Sequence, residues 1–340
     1  MGITFSLAAV VALVLASYLG VKAAGLNYFF GATMPYIAMF AFLGGVIFRV
    51  LRWARSPVPF CIPTTAGQQK TLSWIPQSKF DNPATKKQAV VRMILEVLLF
   101  RSLFRNTKFE MQKAPKVFYQ WEKWLWIAGL AFHYCFLVIL IRHLRFFTEP
   151  VLFFVHDIER LDGLFQVGLP GVYITDLIFI ASVTYLLIRR LIIPQVRYIS
   201  LPQDFFPLFL IIAIGTTGIL TRYFLKVDLI KVKQLAMGLI SFKPVVPEGI
   251  GVVFFIHLFL VSVLFAYFPF SKLMHAGGVL LSPTRNLPND SRIRRHVNPW
   301  NYPVKVHTYA QYEDHFREKM VEAGLPVEKE LDEAAVTAKD

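Results

Sequence analysis

Four histidines lie inside apolar stretches of membrane length. His133 and His143 fall within residues 124–145, WLWIAGLAFHYCFLVILIRHLR, and His257 and His275 within residues 250–275. An ionisable side chain in a membrane span is costly and so marks function. Imidazole is a good ligand for low-spin iron. Two per iron leave no open coordination position, which suits haems that carry electrons rather than bind oxygen. A single membrane histidine is as readily explained by a hydrogen bond to a neighbouring helix; four, arranged as two pairs on two helices, favour two bis-histidine haems. The chain has two cysteines, Cys61 and Cys135, and no Cys-x-x-Cys-His. It can therefore build neither a disulfide framework, nor a cysteine-ligated iron–sulfur cluster, nor a c-type haem attachment. Any haem is held without a thioether link, as in b-type cytochromes.

The ten-residue step from His133 to His143 is about 15 Å of helical rise and roughly 80° of rotation; the 18-residue step from His257 to His275 is about 27 Å, or about five whole turns. Three crossings link the two helices, so they run antiparallel and the inner member of one faces the inner member of the other. That pairs His133 with His275 at an inner haem b and His143 with His257 at an outer haem b. For two straight helices the irons would stand about 21 Å apart. Pro269, six residues before His275, is placed to bend the second helix.

The elements that must position these rings show in the hydropathy. The chain of 340 residues is 55% hydrophobic with 32 Phe, and its mean hydropathy is +0.50. Apolar runs near the roughly 20 residues needed to span hydrocarbon occur at about 3–23, 32–51, 124–145, 172–193, 205–225 and 250–271. The predicted fold is an all-α integral membrane protein with six transmembrane helices and a four- to five-helix di-haem core. The first run lacks the basic start and small-residue cleavage pattern of a secretory signal, which predicts a retained helix. No internal repeat is present at a fixed period. The predicted organisation is two N-terminal spans (1–51), a cytoplasmic basic loop with an amphipathic helix (52–123), the di-haem core (124–275) and a cytoplasmic tail that docks a partner subunit (276–340).

The formal charge of +14 comes without the compact basic fold or aromatic stacking motif of a nucleic-acid binder; positive-inside loops explain it. Residues 49–123 hold 14 Lys/Arg against four acidic residues, whereas residues 146–170 hold only Arg160 against Glu149, Asp157, Glu159 and Asp162. The basic loop is predicted cytoplasmic, with both termini on that side of the cytoplasmic membrane. Residues 226–248 run against this, with four lysines on the assigned outer side. Residues 56–83 are rich in Pro, Gly, Thr and Gln and predicted irregular. Residues 83–104 set Val90, Val91, Ile94, Val97, Leu98 and Phe104 against Lys86, Lys87, Arg92, Arg101 and Arg105, the pattern of a basic amphipathic helix on the cytoplasmic leaflet or on a soluble partner. The tail from Leu280 is too poor in apolar residues for its own core, with a short helix near 309–323.

Weaker candidates flank the four histidines. His156, beside Asp157 in the outer loop, and Asp176, near the outer end of the fourth helix, are candidate acceptors of quinol protons. A solvated histidine and a helix-start carboxylate are the simpler explanations of the same residues. Arg142, Arg145 and Arg222 at outer helix ends, with Arg189 and Arg190 at inner ends, are candidate partners of haem propionates or snorkelling cations. His296, His307 and His315 lie in the tail without metal-ligand spacing.

His-x9-His on one helix and His-x17-His three crossings later resembles the cytochrome b gamma subunit of respiratory nitrate reductases, over about residues 32–275. The resemblance implies two b haems, the same ligand pairing and a quinol site near the outer haem. The extra first helix and longer loop, with SPVPFCIPTTAGQQKTLSWIPQ, LLFRSLFRNT and SPTRNLPNDSRIRRHVNPWN, resemble DsrM-type cytochrome b subunits of the sulfite-reduction-associated membrane complex of sulfur-metabolising prokaryotes. That implies a cytoplasmic iron–sulfur partner resembling the catalytic subunit of heterodisulfide reductases (DsrK/HdrD-like). It also implies a periplasmic multihaem cytochrome c, an iron–sulfur protein and a second membrane subunit. The expected function is electron transfer between menaquinol or menaquinone and the iron–sulfur subunit in dissimilatory sulfur metabolism, with no sulfur bond broken by this chain. The alternatives are a nitrate-reductase-type cytochrome b of another respiratory complex, a proton-relaying transporter, ordinarily marked by repeats or broken helices, and a membrane anchor with structural histidines.

Overall fold

The computed structural model describes residues 2–57, 67–111, 117–293, 300 and 303–329. Cys61, His296 and part of the first Pro-rich motif lie outside them. Two compact units, Met1–Ile293 and Arg294–Asp340, divide the chain.

In the first unit, α1 (Gly2–Lys22) leads through a π-helical turn at Phe29–Thr33 into α2 (Met34–Ala54). Helices α3 (Lys86–Leu99) and α4 (Arg101–Phe104) precede a hairpin of β1 (Thr107–Met111) and β2 (Val117–Trp121), with Thr107 opposite Trp121. Helix α5 (Lys123–His143) has a 3-10 extension at Leu144–Phe146, followed by α6 (Phe153–Gly163) and a small hairpin of β3 (Gln166–Val167) and β4 (Val172–Tyr173). Then come α7 (Ile174–Ile192), α8 (Pro194–Tyr198) and α9 (Pro202–Ile219), the last extended by a π-helical turn at Leu220–Phe224. Helices α10 (Leu229–Ile240) and α11 (Val252–Tyr267) are followed by 3-10 turns at Phe268–Phe270 and Lys272–Met274, α12 (His275–Leu281) and α13 (Pro283–Asn286). The second unit carries α14 (Tyr309–Glu322).

The architecture is all-α and membrane-type, with two short hairpins added between helices. Among the described residues, five helices are long and apolar enough to cross a bilayer: Gly2–Lys22, Phe29–Ala54, Lys123–Phe146, Pro202–Phe224 and Val252–Phe270. The segment expected as a sixth crossing forms a helix, α7, 19 residues long, that is not one of these five. Asp176 in its first turn and Arg189 and Arg190 in its last set it apart from those five. Helix α7 packs between α5 and α9, α9 also packs on α11 and α1, and α11 on α2. Small buried clusters seal these contacts: Cys135, Phe179, Val183 and Ile211 between α5, α7 and α9, and Val10, Leu210, Ile256 and Leu260 between α1, α9 and α11. Many large apolar side chains on α1, α2 and α5 are exposed, among them Phe5, Leu15, Phe40, Ile47 and Leu137, as lipid contact allows.

The basic amphipathic helix expected over 83–104 is split in two. Thr85 caps α3, accepting from the Gln88 N–H, and Phe100 ends it in the left-handed region at φ 50. Its polar side is taken up by the chain after α12. Arg92 donates to the Thr284 carbonyl at 3.4 Å, Arg285 meets Glu96 at 2.5 Å, and buried Asn289 donates to buried Asn82 at 2.8 Å. These bonds fold residues 276–293 into the first unit. Asp81 binds Arg101 at 3.2 Å and also Arg105. Burial raises its carboxyl, but the hydrogen bonds from Arg105 and Ser78 and the charges of both arginines outweigh that and hold its pKa below the usual range. In the second unit Glu313 accepts the Glu328 and Lys329 N–H groups, both at 2.9 Å. Those bonds, with Arg317, lower its pKa.

Asn289→Ala leaves the buried Asn82 Oδ1 without its donor. The expected loss is about 1–3 kcal/mol, measured as a fall in the thermal-denaturation midpoint.

Candidate metal centre

His133 and His143 stand on α5, His257 on α11, and His275 opens α12. The ring centroids of His133 and His275 are 5.9 Å apart, at 83°. Those of His143 and His257 are 6.5 Å apart, at 21°. The centroids of two imidazoles on opposite sides of one metal would stand about 6.2 Å apart, given metal–nitrogen bonds of about 2.0 Å and ring radii of about 1.1 Å.

Each ring is fixed through Nδ1. The partner is a backbone carbonyl in all four cases: Gly129 for His133 and Ile139 for His143, both at 2.7 Å, Ile214 for His257 at 3.0 Å, and Lys272 for His275 at 2.9 Å. A carbonyl oxygen only accepts, so each Nδ1 carries the proton and each Nε2 keeps its lone pair, the tautomer that ligation needs. Gly218 lets the His257 ring lie against α9, since a Cβ there would stand 3.2 Å from His257 Cε1. Helices α5 and α11 are not among the closely packed pairs, and none of the four rings is fully shielded. Two imidazoles are too few to hold a bare ion. Among the described residues no group of three or more His, Cys, Asp or Glu does so either. A planar macrocycle that brings its own four nitrogens and takes two axial ligands fits this donor set.

The inner pair depends on a break. A straight helix would carry His275 about 27 Å from His257, well beyond the reach of His133. Instead α11 stops at Tyr267, and Ser271 is extended between two 3-10 turns. Ser271 donates to the Phe268 carbonyl at 2.9 Å, and Arg49 donates to the Pro269 carbonyl at 3.0 Å. Gly45 on α2 makes room, because a Cβ there would lie 2.6 Å from Pro269 Cγ. A cavity of about 510 Å³ beside His275 is lined by Arg49, Trp53, Gln203 and Lys272, among others.

Beside the outer pair lies a buried ion network. Arg142, next to His143 in sequence, sits between Asp162, at 2.7 Å, and Asp176. Tyr223 donates to Asp176 at 2.5 Å and accepts the Tyr173 N–H at 3.2 Å. Arg145 and Arg222 share Glu159, Arg189 binds Glu122 at 2.7 Å, and Arg190 donates to Ser200 at 2.8 Å. Every arginine nominated for propionates is therefore already engaged, and the cations beside the inner pair are Arg49 and Lys272, which the helix-end criterion missed. Asp176, in the first turn of α7, is at the same time a buried ion-pair partner. His156 is exposed on α6, outside the network, so the two proton-acceptor candidates are not brought together. Neither lines the cavity of about 470 Å³ that opens here, bounded by Arg145, Phe146, Leu229, Lys233, Gln234 and Met237 among others. Phe146 stands 6.1 Å from the His143 ring, edge to face.

The sequence profile of the nitrate reductase gamma subunit family matches residues 90–290, which hold all four histidines. The chain belongs to that family. It is 46% identical over 279 residues to the Hdr-like menaquinol oxidoreductase cytochrome b-like subunit of Archaeoglobus fulgidus, across 80% of this chain and 83% of that one. Its identity to the protein so named in Archaeoglobus profundus is 44% over 275 residues, across 79% and 81% of the two chains. Helices α1 and α2 lie outside the gamma-subunit profile. Yet α2 supplies Gly45 and Arg49, which hold the break before His275.

Gly45→Leu would overpack the break, at a cost of about 1–3 kcal/mol. It is expected to weaken haem binding at the inner pair alone. Optical spectra of haem-loaded protein, with His133→Ala and His143→Ala as references for the two signals, check this.

Proposed function

We propose that the chain is the membrane cytochrome b subunit of a menaquinol oxidoreductase complex. In this role it holds two haem b groups and links menaquinol or menaquinone to a cytoplasmic iron–sulfur subunit of the heterodisulfide-reductase type in dissimilatory sulfur metabolism. The observation that carries the reading is the double pairing of rings 5.9 and 6.5 Å apart, each with Nδ1 on a carbonyl. Haem b, if held between such rings, would supply one-electron carriers. His133 and His275 hold the inner group, His143 and His257 the outer. Because α5 is unbroken between its two histidines, the separation along the membrane is set by that helix at about 15 Å, less than two straight helices would give.

Menaquinol is supported by the names of both relatives, and its site by the cavity at Phe146. Phe146, Leu229 and Met237 offer an apolar wall to a fused ring, and Gln234 offers both a donor and an acceptor to its oxygens. Glu149, paired with Lys233 and exposed, gives protons a carboxylate at the rim. The same contact bears on orientation. Lys233 is matched by Glu149, and Lys231 donates to the Glu248 carbonyl at 2.9 Å, so two of the four lysines that oppose the charge rule are engaged locally. With the loop of 14 basic residues in the cytoplasm, six crossings put both termini there, in the cytoplasmic membrane. The tail faces the iron–sulfur partner, and the periplasmic multihaem cytochrome c, the iron–sulfur protein and the second membrane subunit of DsrM-type complexes complete the assembly.

The broken helix before His275 also suits a proton-relaying transporter, and haem content separates the two readings. A pyridine haemochrome assay is expected to give two protohaems per wild-type chain and one for His143→Ala. No haem overturns the reading, and retention of both in the variant overturns the pairing. For the quinol cavity, Gln234→Leu is expected to raise KM for a menaquinol analogue about tenfold, the equivalent of about 1.4 kcal/mol for one lost hydrogen bond, with haem content unchanged. An unaltered KM removes the cavity from the site.

A further inference from the structure

The segment from Leu98 to Phe104 stands against the membrane-embedded face of α5. The last carbonyls of a helix have no partner within it, and those of α3 are met by side chains of α5. Tyr134 donates to the Leu98 carbonyl at 2.9 Å and Trp126 to the Leu99 carbonyl at 2.7 Å. Tyr134 lies 11 residues into α5, about 16 Å along its axis, near the middle of the candidate span Lys123–Phe146. Backbone that leaves a helix at such depth is tolerated only where protein groups satisfy it. Val90, Ile94, Leu98 and Leu99 of α3 are exposed, and this apolar face continues that of Ile127, Tyr134 and Leu137 on α5. Its occupant is the acyl region of the inner leaflet.

The turn between α3 and α4 is built on Phe100, whose φ of 50 and ψ of 46 are strained for a residue with a side chain. The Phe100 ring meets the His133 ring edge to face at 4.9 Å. Two further contacts converge on the same histidine. Leu103 lies where a Cβ on Gly129 would stand 3.3 Å from it, and the Gly129 carbonyl holds His133 Nδ1. Phe104 packs on Trp126 at 4.9 Å. On the polar side Glu96 accepts from the Ser102 N–H at 2.9 Å and from Arg285, while Asp81 holds Arg101 and Arg105.

We propose that α3 and α4 form a re-entrant cover over the inner pair, and that the Phe100 ring tunes the reduction potential of the metal held by His133 and His275 by keeping water from the His133 imidazole. This rests on the two-haem reading above. Ferric haem carries one more positive charge than ferrous haem, so water at the ligand favours the oxidised form and its exclusion favours the reduced one; burial is one of the levers on a haem potential. Phe100 is a positioning residue for this centre.

The test is a redox titration of the haem-loaded full chain, followed optically, with the inner signal identified as the one that His133→Ala lacks. Phe100→Gly removes the ring while glycine accepts the left-handed backbone without strain, so the turn is kept. The expected result is a tenfold shift of the inner haem toward its oxidised form, about 59 mV lower, with the outer haem unmoved and the wild-type value restored in Phe100→Tyr. Unchanged potentials with two haems present overturn the cover, whereas a wild-type chain without haem overturns the reading beneath it. A measurement independent of haem uses a nitroxide on Leu99→Cys, with Cys61→Ser and Cys135→Ala, in phosphatidylcholine vesicles. Faster relaxation by oxygen than by a water-soluble nickel chelate is expected, and the reverse order overturns the re-entrant placement.

Discussion

An imidazole inside hydrocarbon has two nitrogens, and each needs a partner, because an unmatched polar atom there costs several kcal/mol. The rest of the bundle follows from how this chain meets that demand four times. Backbone carbonyls take every Nδ1, which leaves the four Nε2 lone pairs free on two pairs of neighbouring rings. For His133, His143 and His275 the carbonyl lies three or four residues back along the same helical path, so rotamer and tautomer are fixed together. His257 instead borrows the Ile214 carbonyl of α9, with the Thr217 hydroxyl 3.0 Å away. Gly218 then follows as a requirement, because the ring can reach that carbonyl only across a bare backbone.

The second constraint is one of length. Ten residues of α5 and 18 residues beyond His257 must end opposite each other, and uniform helices do not allow it. The chain resolves the mismatch by stopping α11 and running the remainder through 3-10 and extended backbone. A broken helix exposes carbonyls, and the Pro269 carbonyl is taken by Arg49 from α2, a helix outside the family-matched region. The two N-terminal helices are thus tied to the centre physically, through Gly45 and Arg49 under the break, although they contribute none of the four histidines.

The ring pairing was legible in the sequence because it depends on a helical rise, a count of crossings and four residue identities. The helices themselves were legible for a similar reason, since long apolar runs in a bilayer have few alternatives. What the sequence hid depends on contacts remote along the chain. Arg189 reads as a snorkelling cation until Glu122, 67 residues away, is placed beside it, and Asp176 reads as a helix start until Arg142 and Tyr223 close on it. Residues 83–104 carry the pattern of one amphipathic helix, and only the left-handed backbone at Phe100, an unusual position for an aromatic residue, divides it. The Pro269 break lay between these cases: the residue pointed to a bend, but its size and the partners that stabilise it were not encoded locally.

The two pairs sit in different electrical surroundings, and this follows from where α5 enters and leaves the bundle. At its outer end Arg142, Arg145 and Arg222 are balanced by Asp162, Asp176 and Glu159 in a network of charges and tyrosines. A buried arginine between two carboxylates holds its place because removal of any member would leave an uncompensated charge. The network therefore acts as a rigid frame with no net formal charge beside His143. Near His133 the neighbours are Phe100, Phe132 and the small residue Gly129; beyond His275, Arg49 is engaged by the Pro269 carbonyl and Lys272 is paired with Asp204 at 2.6 Å. A metal held between His133 and His275 would meet an aromatic wall on one ligand, whereas one held between His143 and His257 would lie beside a neutralised ionic lattice. Identical ligands in unlike media hold electrons with unlike affinity, so two such centres would differ in potential without a change of ligand.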